Sequence, residues 1–290
     1  MFGHRSDGRR IKGLDPLFYA IPHLMPKRTD AHVFTEMDVE MTQLDRYVKE
    51  KRAELPDVSH MTVLLTAMGR VLGEVPQLNR FVVGRRIFAR KYISVCFNIL
   101  SEVGPEDPRE DIIEIHYEDG DNVKSVTEKV AKSTRDAKEA AAAAAKTTSG
   151  ADKLLKFFFH LPNFILSWLI RTILWFDRRG MLLKSIIDLS PFHASAYLTN
   201  MASLGMNSVF HHIYDAGTVS MFLAMGKREF TPVYGRHGLE KTVRTMKLRF
   251  TVDERVCSGY VFSRAFKLFD KYLTNPELLE EPMQHKEDIA

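Results

Sequence analysis

Cysteine is scarce in this chain of 290 residues, which contains two, Cys96 and Cys257. Neither lies in a CxxC pair or at the spacing of zinc ligands, so neither a disulfide framework nor a structural zinc site is expected. The first residues are basic and polar and contain no apolar core of a signal peptide. We therefore expect a protein of the reducing cytoplasm.

Charge of one sign is not in excess either. The 41 basic and 37 acidic residues give a formal net charge of +4 and are mixed along the sequence. This pattern disfavours a nucleic-acid partner and leaves room for a small phosphate-bearing ligand. Because 45% of the residues are apolar, the chain is expected to fold around a sizeable core.

The apolar periodicity predicts a mixture of helices and strands without a βαβ repeat or an internal duplication. Helices are predicted at 42–54, after Ser59 up to Pro76, after a Ser125/Glu128 capping box up to Lys146, from Asn163, and from Gly259 to Pro276. Strands are predicted at 81–83, 87–100, 111–117, 192–199, 218–225 and 242–252.

Residues 157–176 form the most apolar stretch, but Pro162 and Arg171 interrupt it and disfavour a transmembrane span. Counted as a helix from Asn163, the stretch has one narrow polar stripe, so we expect it to bury nearly all of its surface. Three interpretations stay open: a helix in the core or in a subunit interface, the wall of an acyl-chain tunnel, or a contact with lipid or a membrane surface.

The segment LRFTVDERVCSGYVFSRAFKLFDKYLTNPELL, residues 248–279, resembles the end of the catalytic domain of 2-oxoacid dehydrogenase acyltransferases. Chloramphenicol acetyltransferases share this ending, in which a strand carries an HxxxDG motif and a helix starts after the glycine. Residues 29–44, 75–99 and 194–206 are similar to further segments of the family in the same order. The resemblance covers most of the chain and leaves residues 141–185 as a hydrophobic insertion.

The resemblance implies one catalytic domain over residues 1–290, with a two-layer α/β fold around a mixed sheet. It also implies a homotrimer with active sites in channels between subunits, acyl-coenzyme A as co-substrate, and no metal. The sequence contains no lipoyl domain, so we expect a stand-alone protein and not a working subunit of a dehydrogenase complex.

The motif differs from the family at two positions, where Glu254 replaces the histidine and Ser258 replaces the aspartate. In the family the histidine removes a proton from coenzyme A or from the acceptor. A solvated glutamate with a pKa of about 4.3 is a weak base for a thiol near 8.5, and burial would have to raise it to roughly 6–7. Glu254 is therefore interpreted either as a general base or as a structural residue, and Arg255 is expected to hold its loop.

Further candidates precede the motif. Thr199 lies in a Thr-Asn pair that resembles the family's hydroxyl position, which makes it either an oxyanion donor or an ordinary strand threonine. His193 and Ser195 share its strand parity, and with His212 and Ser258 they are candidate substrate-binding residues. A packed strand edge explains this polar face equally well.

The sequence HHIYDAG, residues 211–217, imitates the family motif, but its aspartate comes one position early and a strand is predicted after it. One of its histidines can supply the missing imidazole if the fold brings it to the pocket.

The leading hypothesis is a cytoplasmic, trimeric, coenzyme A-dependent acyltransferase with Glu254 and Thr199 at its site, with a membrane-peripheral position as a variant. The alternative is a catalytically inactive trimeric relative that binds coenzyme A or acts as a scaffold.

Overall fold

The fold is a mixed α/β arrangement around a six-stranded sheet. The computed structural model describes residues 5–102, 108–146, 160–235 and 238–288. The strands are β1 (Gly8–Arg10), β2 (His32–Glu40), β3 (Arg80–Val83), β4 (Arg86–Arg90), β5 (Ile93–Glu102), β6 (Pro108–Tyr117), β7 (Ala196–Asn200), β8 (Met221–Gly235) and β9 (Gly238–Asp253). The helices are α1 (Pro16–Leu24), α2 (Met41–Lys51), α3 (His60–Glu74), α4 (Val123–Lys146), α5 (Asn163–Arg178), α6 (Lys184–Asp188) and α7 (Gly259–Thr274).

The large sheet has the strand order β2-β9-β8-β7-β5-β6. Strand β7 pairs in parallel with both β5 and β8, whereas the other neighbours are antiparallel. A second sheet of order β1-β4-β3 stands beside it. Its hairpin turns at Gly84 and Arg85, which both have a positive φ, as a tight two-residue turn between twisted strands requires. The mixed sheet confirms the prediction from the resemblance, and the hairpin at Gly84 connects the strands predicted at 81–83 and 87–100.

One face of the large sheet forms the core with the helices. Side chains of α2, α3, α4 and α7 pack on alternate residues of the strands, among them Val95, Leu198, Leu223 and Phe250. The opposite face carries a small cluster around Cys96, with the half-buried rings of Tyr197 and Phe222. Because strand side chains alternate, each strand presents residues to both faces. Some candidate site residues therefore lie on one face of the sheet and some on the other.

Three local predictions need correction. The predicted strand 87–100 is two strands, β4 and β5, which belong to different sheets. Helix α4 is capped by Asn122, whose Oδ1 accepts from the backbone N–H of Lys124 and Ser125, so the Ser125/Glu128 capping box is wrong. The predicted strand 192–199 begins only at Ala196, because Pro191–His193 form a single 3-10 turn.

The predicted apolar helix exists as α5, but the described residues of this chain do not bury it. Of its residues only Asp177 is buried, and large side chains such as Phe164 and Trp168 are 74% and 66% exposed. Among the described residues, no helix combines the length and the apolarity needed to cross a membrane. The part of the insertion at 147–159 lies outside the described residues.

Candidate functional site

Glu254 follows the last residue of β9 and borders a large cleft. Strand parity placed it on the side of Met246, Leu248, Phe250 and Val252, and its side chain does line the cleft next to Val252. Its backbone N–H donates to the carbonyl of Ala31 at 3.0 Å, while the side chain is exposed. Within the described chain no side chain bonds its carboxylate, so the group faces the cleft without a side-chain partner.

The residues on both sides of Glu254 are fixed by a buried ion pair. Asp253 is fully buried, and its carboxylate accepts from Arg255 Nε at 2.8 Å and Nη2 at 2.7 Å. The backbone N–H of Arg255 also donates to Asp253 Oδ1, and Arg255 Nη1 reaches the carbonyl of Met25 at 3.1 Å. The expectation that Arg255 holds the Glu254 loop is confirmed.

Arg28 is a second buried partner of Asp253, and no sequence pattern pointed to it. Its Nε lies 3.4 Å from Asp253 Oδ2, an ion pair without hydrogen-bond geometry. The rest of its guanidinium donates to the backbone carbonyls of residues 214, 216 and 217, and its own backbone N–H donates to the carboxylate of Asp215. Burial lowers the pKa of Arg28, with Asp253 opposing that shift. The network ties the end of β9 to the loop at 213–217.

Asp253→Asn is expected to destabilise the fold by about 3–5 kcal/mol, because it leaves Arg28 and Arg255 buried without a counter-charge. The measurement is the midpoint of urea unfolding for the variant and the native chain. Glu36→Gln is the control, since Glu36 pairs with Arg249 and Lys247 on the exposed part of the same sheet. A native-like midpoint for Asp253→Asn would contradict a structural role for this ion pair.

The Glu254 cleft has a volume of about 1000 Å³ and lies between α1, β2 and α7. Its walls are mainly apolar, with aromatic rings from Phe18, Phe262 and Phe266. Ser258 lines it at the start of α7, and its hydroxyl makes no capping bond. Lys267 and Asp270 lie farther along α7. A cleft of this kind suits an extended, largely apolar chain that ends near a carboxylate.

Cys257 also borders the cleft but is poorly suited to act as a nucleophile. Its side chain is 3% exposed, and burial raises the pKa of its thiol to about 12. The reactive form of cysteine is the thiolate. At neutral pH the thiol therefore stays protonated, and Cys257 is not a nucleophile of this cleft.

Thr199 borders a second, smaller pocket of about 270 Å³. This pocket is lined by aromatic and polar side chains of β5, β7, β8 and the 211–216 loop. Within it the rings of Tyr197, Phe222 and His211 form one stack, with centroid distances of 4.9 and 4.6 Å. The Tyr197 hydroxyl donates to Asn98 Oδ1. The pocket suits a flat or apolar group with a polar end.

Both histidines of the HHIYDAG segment, His211 and His212, line the Thr199 pocket. Burial lowers the pKa of His211, and the nearby His212 lowers it further, so its ring is neutral at pH 7. Its Nε2 is buried without a hydrogen-bond partner. The histidine pair thus reaches a pocket, as the sequence allowed, but the pocket of Thr199 and not the cleft of Glu254.

The sheet separates the two candidate catalytic residues. Val252 and Glu254 lie on the face that packs against α7, whereas Tyr197 and Thr199 lie on the opposite face. Within one chain Glu254 and Thr199 therefore do not share a cavity. Any site that uses both must combine the Glu254 cleft of one copy with the Thr199 pocket of another.

The other two candidates are buried in structural contacts and line neither cavity. His193 Nε2 lies 3.4 Å from Asp177 Oδ1, and the carbonyl of His193 accepts from Arg90. Ser195 Oγ accepts from the backbone N–H of Ser94 at 3.1 Å. The sequence predicted that these two side chains share a face with Thr199. That prediction is wrong because the strand begins only at Ala196, so the alternation of side chains does not extend upstream of it.

Comparison with known proteins identifies the fold. No protein-family model matches the sequence, and no curated protein matches it significantly. The chain is similar to the structure of a probable dihydrolipoamide acetyltransferase from Listeria monocytogenes, with 15% identity over 97% of both chains and a TM-score of 0.55.

Two further solved structures are similar. A truncated catalytic core of the 2-oxoacid dehydrogenase complex from Thermoplasma acidophilum matches with 15% identity over 92% of this chain and 99% of its own, with a TM-score of 0.54. A chloramphenicol acetyltransferase matches at 10% identity over 92% and 99%, with a TM-score of 0.50. The chain has the fold of chloramphenicol acetyltransferase-like acyltransferases, as the sequence resemblance predicted.

Proposed function

We propose that this protein is a coenzyme A-dependent acyltransferase that works as a homotrimer in the cytoplasm. The observation that carries the proposal is the Glu254 cleft, where a rigid ion pair presents one free carboxylate to an apolar channel of about 1000 Å³. The fold is that of acyltransferase cores, and in the sequence resemblance Glu254 takes the place of the family's base.

In the proposed reaction, Glu254 accepts the proton of the acceptor's hydroxyl or thiol while that atom attacks the thioester carbonyl of acyl-coenzyme A. The carbonyl electrons move to the oxygen, and the resulting oxyanion accepts a hydrogen bond from Thr199 Oγ1 of a neighbouring copy. When the intermediate collapses, the C–S bond breaks and the coenzyme A sulfur takes the proton from Glu254. The acyl group is then on the acceptor and the carboxylate is regenerated.

The residues of the cleft fit coenzyme A as co-substrate. The apolar side chains of Phe18, Phe262 and Phe266 suit the acyl and pantetheine chain, and Lys267 offers a positive charge toward a phosphate. The trimer supplies what one chain lacks, because it can place the Thr199 pocket of one copy opposite the Glu254 cleft of the next. It can also cover Glu254, whose exposure in the single chain leaves it without the burial that a competent base needs.

A second candidate function is a trimeric module that binds coenzyme A without turning it over. The observation that favours it is the motif itself: Ser258 supplies no charge, and Glu254 has no side-chain partner within the described chain. In this case the ion pair of Asp253 and Arg255 serves only to shape the cleft.

The deciding experiment measures release of free thiol from short and long acyl-coenzyme A donors, with coenzyme A binding measured by calorimetry on the same samples. Saturable thiol release in the presence of an acceptor alcohol or thiol is the expected result. Binding without turnover would favour the inactive module. If neither binding nor turnover occurs, the fold serves another purpose and both proposals fail.

A further inference from the structure

Helix α5 presents an unusual surface that the proposed reaction does not use. The sequence contains two tryptophans, Trp168 and Trp175. They lie seven residues apart on one side of α5, and Phe164 precedes Trp168 by one further turn. The three side chains are 74%, 66% and 45% exposed in the order Phe164, Trp168, Trp175.

Apolar exposure on α5 is not limited to that side. Ile170, Ile173 and Phe176 point in other directions around the helix and are 49%, 39% and 41% exposed. Beyond the helix, Leu183 and Leu189 are 66% and 85% exposed. Side chains that point in several directions need a partner that adapts to them, and fluid lipid adapts more readily than a folded surface of fixed shape. This distribution favours lipid over a protein partner.

The unpaired charges on and directly after α5 are basic. Arg171, Arg178 and Arg179 are exposed on or directly after α5, and the Arg179 guanidinium lies 3.7 Å from the ring of Trp175. The acidic residues of the segment are neutralised, since Asp177 is buried against Arg5 and Asp188 pairs with Lys184 at 2.6 Å. Lys27 and Arg85 add exposed positive charge around the cleft that Arg178 borders, against the single exposed carboxylate of Asp215 in its lining. The excess charge is therefore basic and complements anionic headgroups.

We propose that α5 docks this protein on anionic phospholipid bilayers, with Trp168 and Trp175 at the interface. With 16 residues the helix is about 24 Å long, shorter than the roughly 30 Å of hydrocarbon in a bilayer, so it lies in the interface and does not span it. Tryptophan rings are enriched at that depth, and arginine side chains extend from it to the headgroups. This proposal stands independently of the acyl transfer, because it uses neither Glu254 nor Thr199.

The two tryptophans provide the test, since all tryptophan emission of the chain arises from the proposed surface. The full-length protein is mixed with vesicles of phosphatidylcholine alone or with added phosphatidylglycerol, and both flotation and emission are followed. We expect flotation and a blue shift with anionic vesicles at low salt. Quenching by brominated acyl chains and weakening of binding at high salt are expected as well.

Variants separate charge from apolar contact. Arg171→Gln with Arg178→Gln is expected to weaken partitioning to anionic vesicles by about 25-fold, because each basic residue near such a surface contributes about fivefold. Trp168→Ser is expected to weaken binding by about tenfold or more, through lost apolar burial. The matched control is Phe230→Ser, which removes another exposed aromatic ring next to an arginine, on β8.

The proposal is overturned if the native protein stays unbound with anionic vesicles at low salt, or if Phe230→Ser weakens binding as much as Trp168→Ser does. Emission that is already blue-shifted in the free protein, and that vesicles leave unchanged, would also overturn it. That result would show that the protein or its own assembly already covers α5. Circular dichroism confirms that each variant is folded.

Discussion

Glu254→Gln is expected to lower the turnover of acyl-coenzyme A by about 10²–10⁴-fold, the usual contribution of a positioned general base. The amide has nearly the shape of the carboxylate but cannot accept the proton of the acceptor. The turn that carries it is held by Asp253, Arg255 and the bond to Ala31, and the substitution changes none of these contacts. KM for the acyl-coenzyme A is therefore expected to change little, and steady-state kinetics separate the two constants.

A histidine at the same position provides the complementary result. Glu254→His, combined with Ser258→Asp, restores the family motif and is expected to be more active at pH 7 than Glu254→Gln. Its rate should rise with pH through a value near 6.5, the ordinary pKa of histidine, because the neutral imidazole is the base. Glu36→Gln serves as the control for removing an exposed carboxylate. Native turnover that survives Glu254→Gln unchanged would remove Glu254 from the mechanism.

The location of Glu254 could be predicted because it depends on a local pattern. The alternation from Met246 to Val252 determines the face on which residue 254 emerges, and the structure places it on that side of the sheet. The same logic failed for His193 and Ser195, since nothing in the sequence marks Ala196 as the first strand residue. Parity predicts side-chain direction only as far as the strand extends.

The partners of the site could not be predicted because they are distant in sequence. Arg28 bonds residues 214–217 and faces Asp253, but no spacing connects these three parts of the chain. The cover of α5 could not be predicted for a related reason. Apolar composition shows that a helix needs a cover, yet it does not identify the cover, and in this structure the cover is not part of the described chain. Position within an element is encoded locally, whereas contact between elements is not.

Mixing two inactive variants is expected to restore activity. Thr199→Ala removes the proposed oxyanion donor and should lower turnover by about 10²–10³-fold, and Glu254→Gln removes the base. In the proposed trimer each site takes Glu254 from one copy and Thr199 from its neighbour. A site is therefore intact when a Thr199→Ala chain provides the carboxylate and a Glu254→Gln chain provides the hydroxyl.

The two variants are unfolded together in equal amounts and refolded, so each position in a trimer is filled by either variant with a probability of about one half. A site needs the right variant at two neighbouring positions, so about one quarter of the sites in a cyclic trimer are intact. The mixture should then show roughly a quarter of native turnover, far above either variant alone. A site contained within one chain predicts no recovery, because every chain in the mixture carries a defect. The separation of Glu254 and Thr199 by the sheet favours recovery of activity in the mixture. Refolding each variant separately and then combining them controls for exchange, since preformed homotrimers contain no mixed sites.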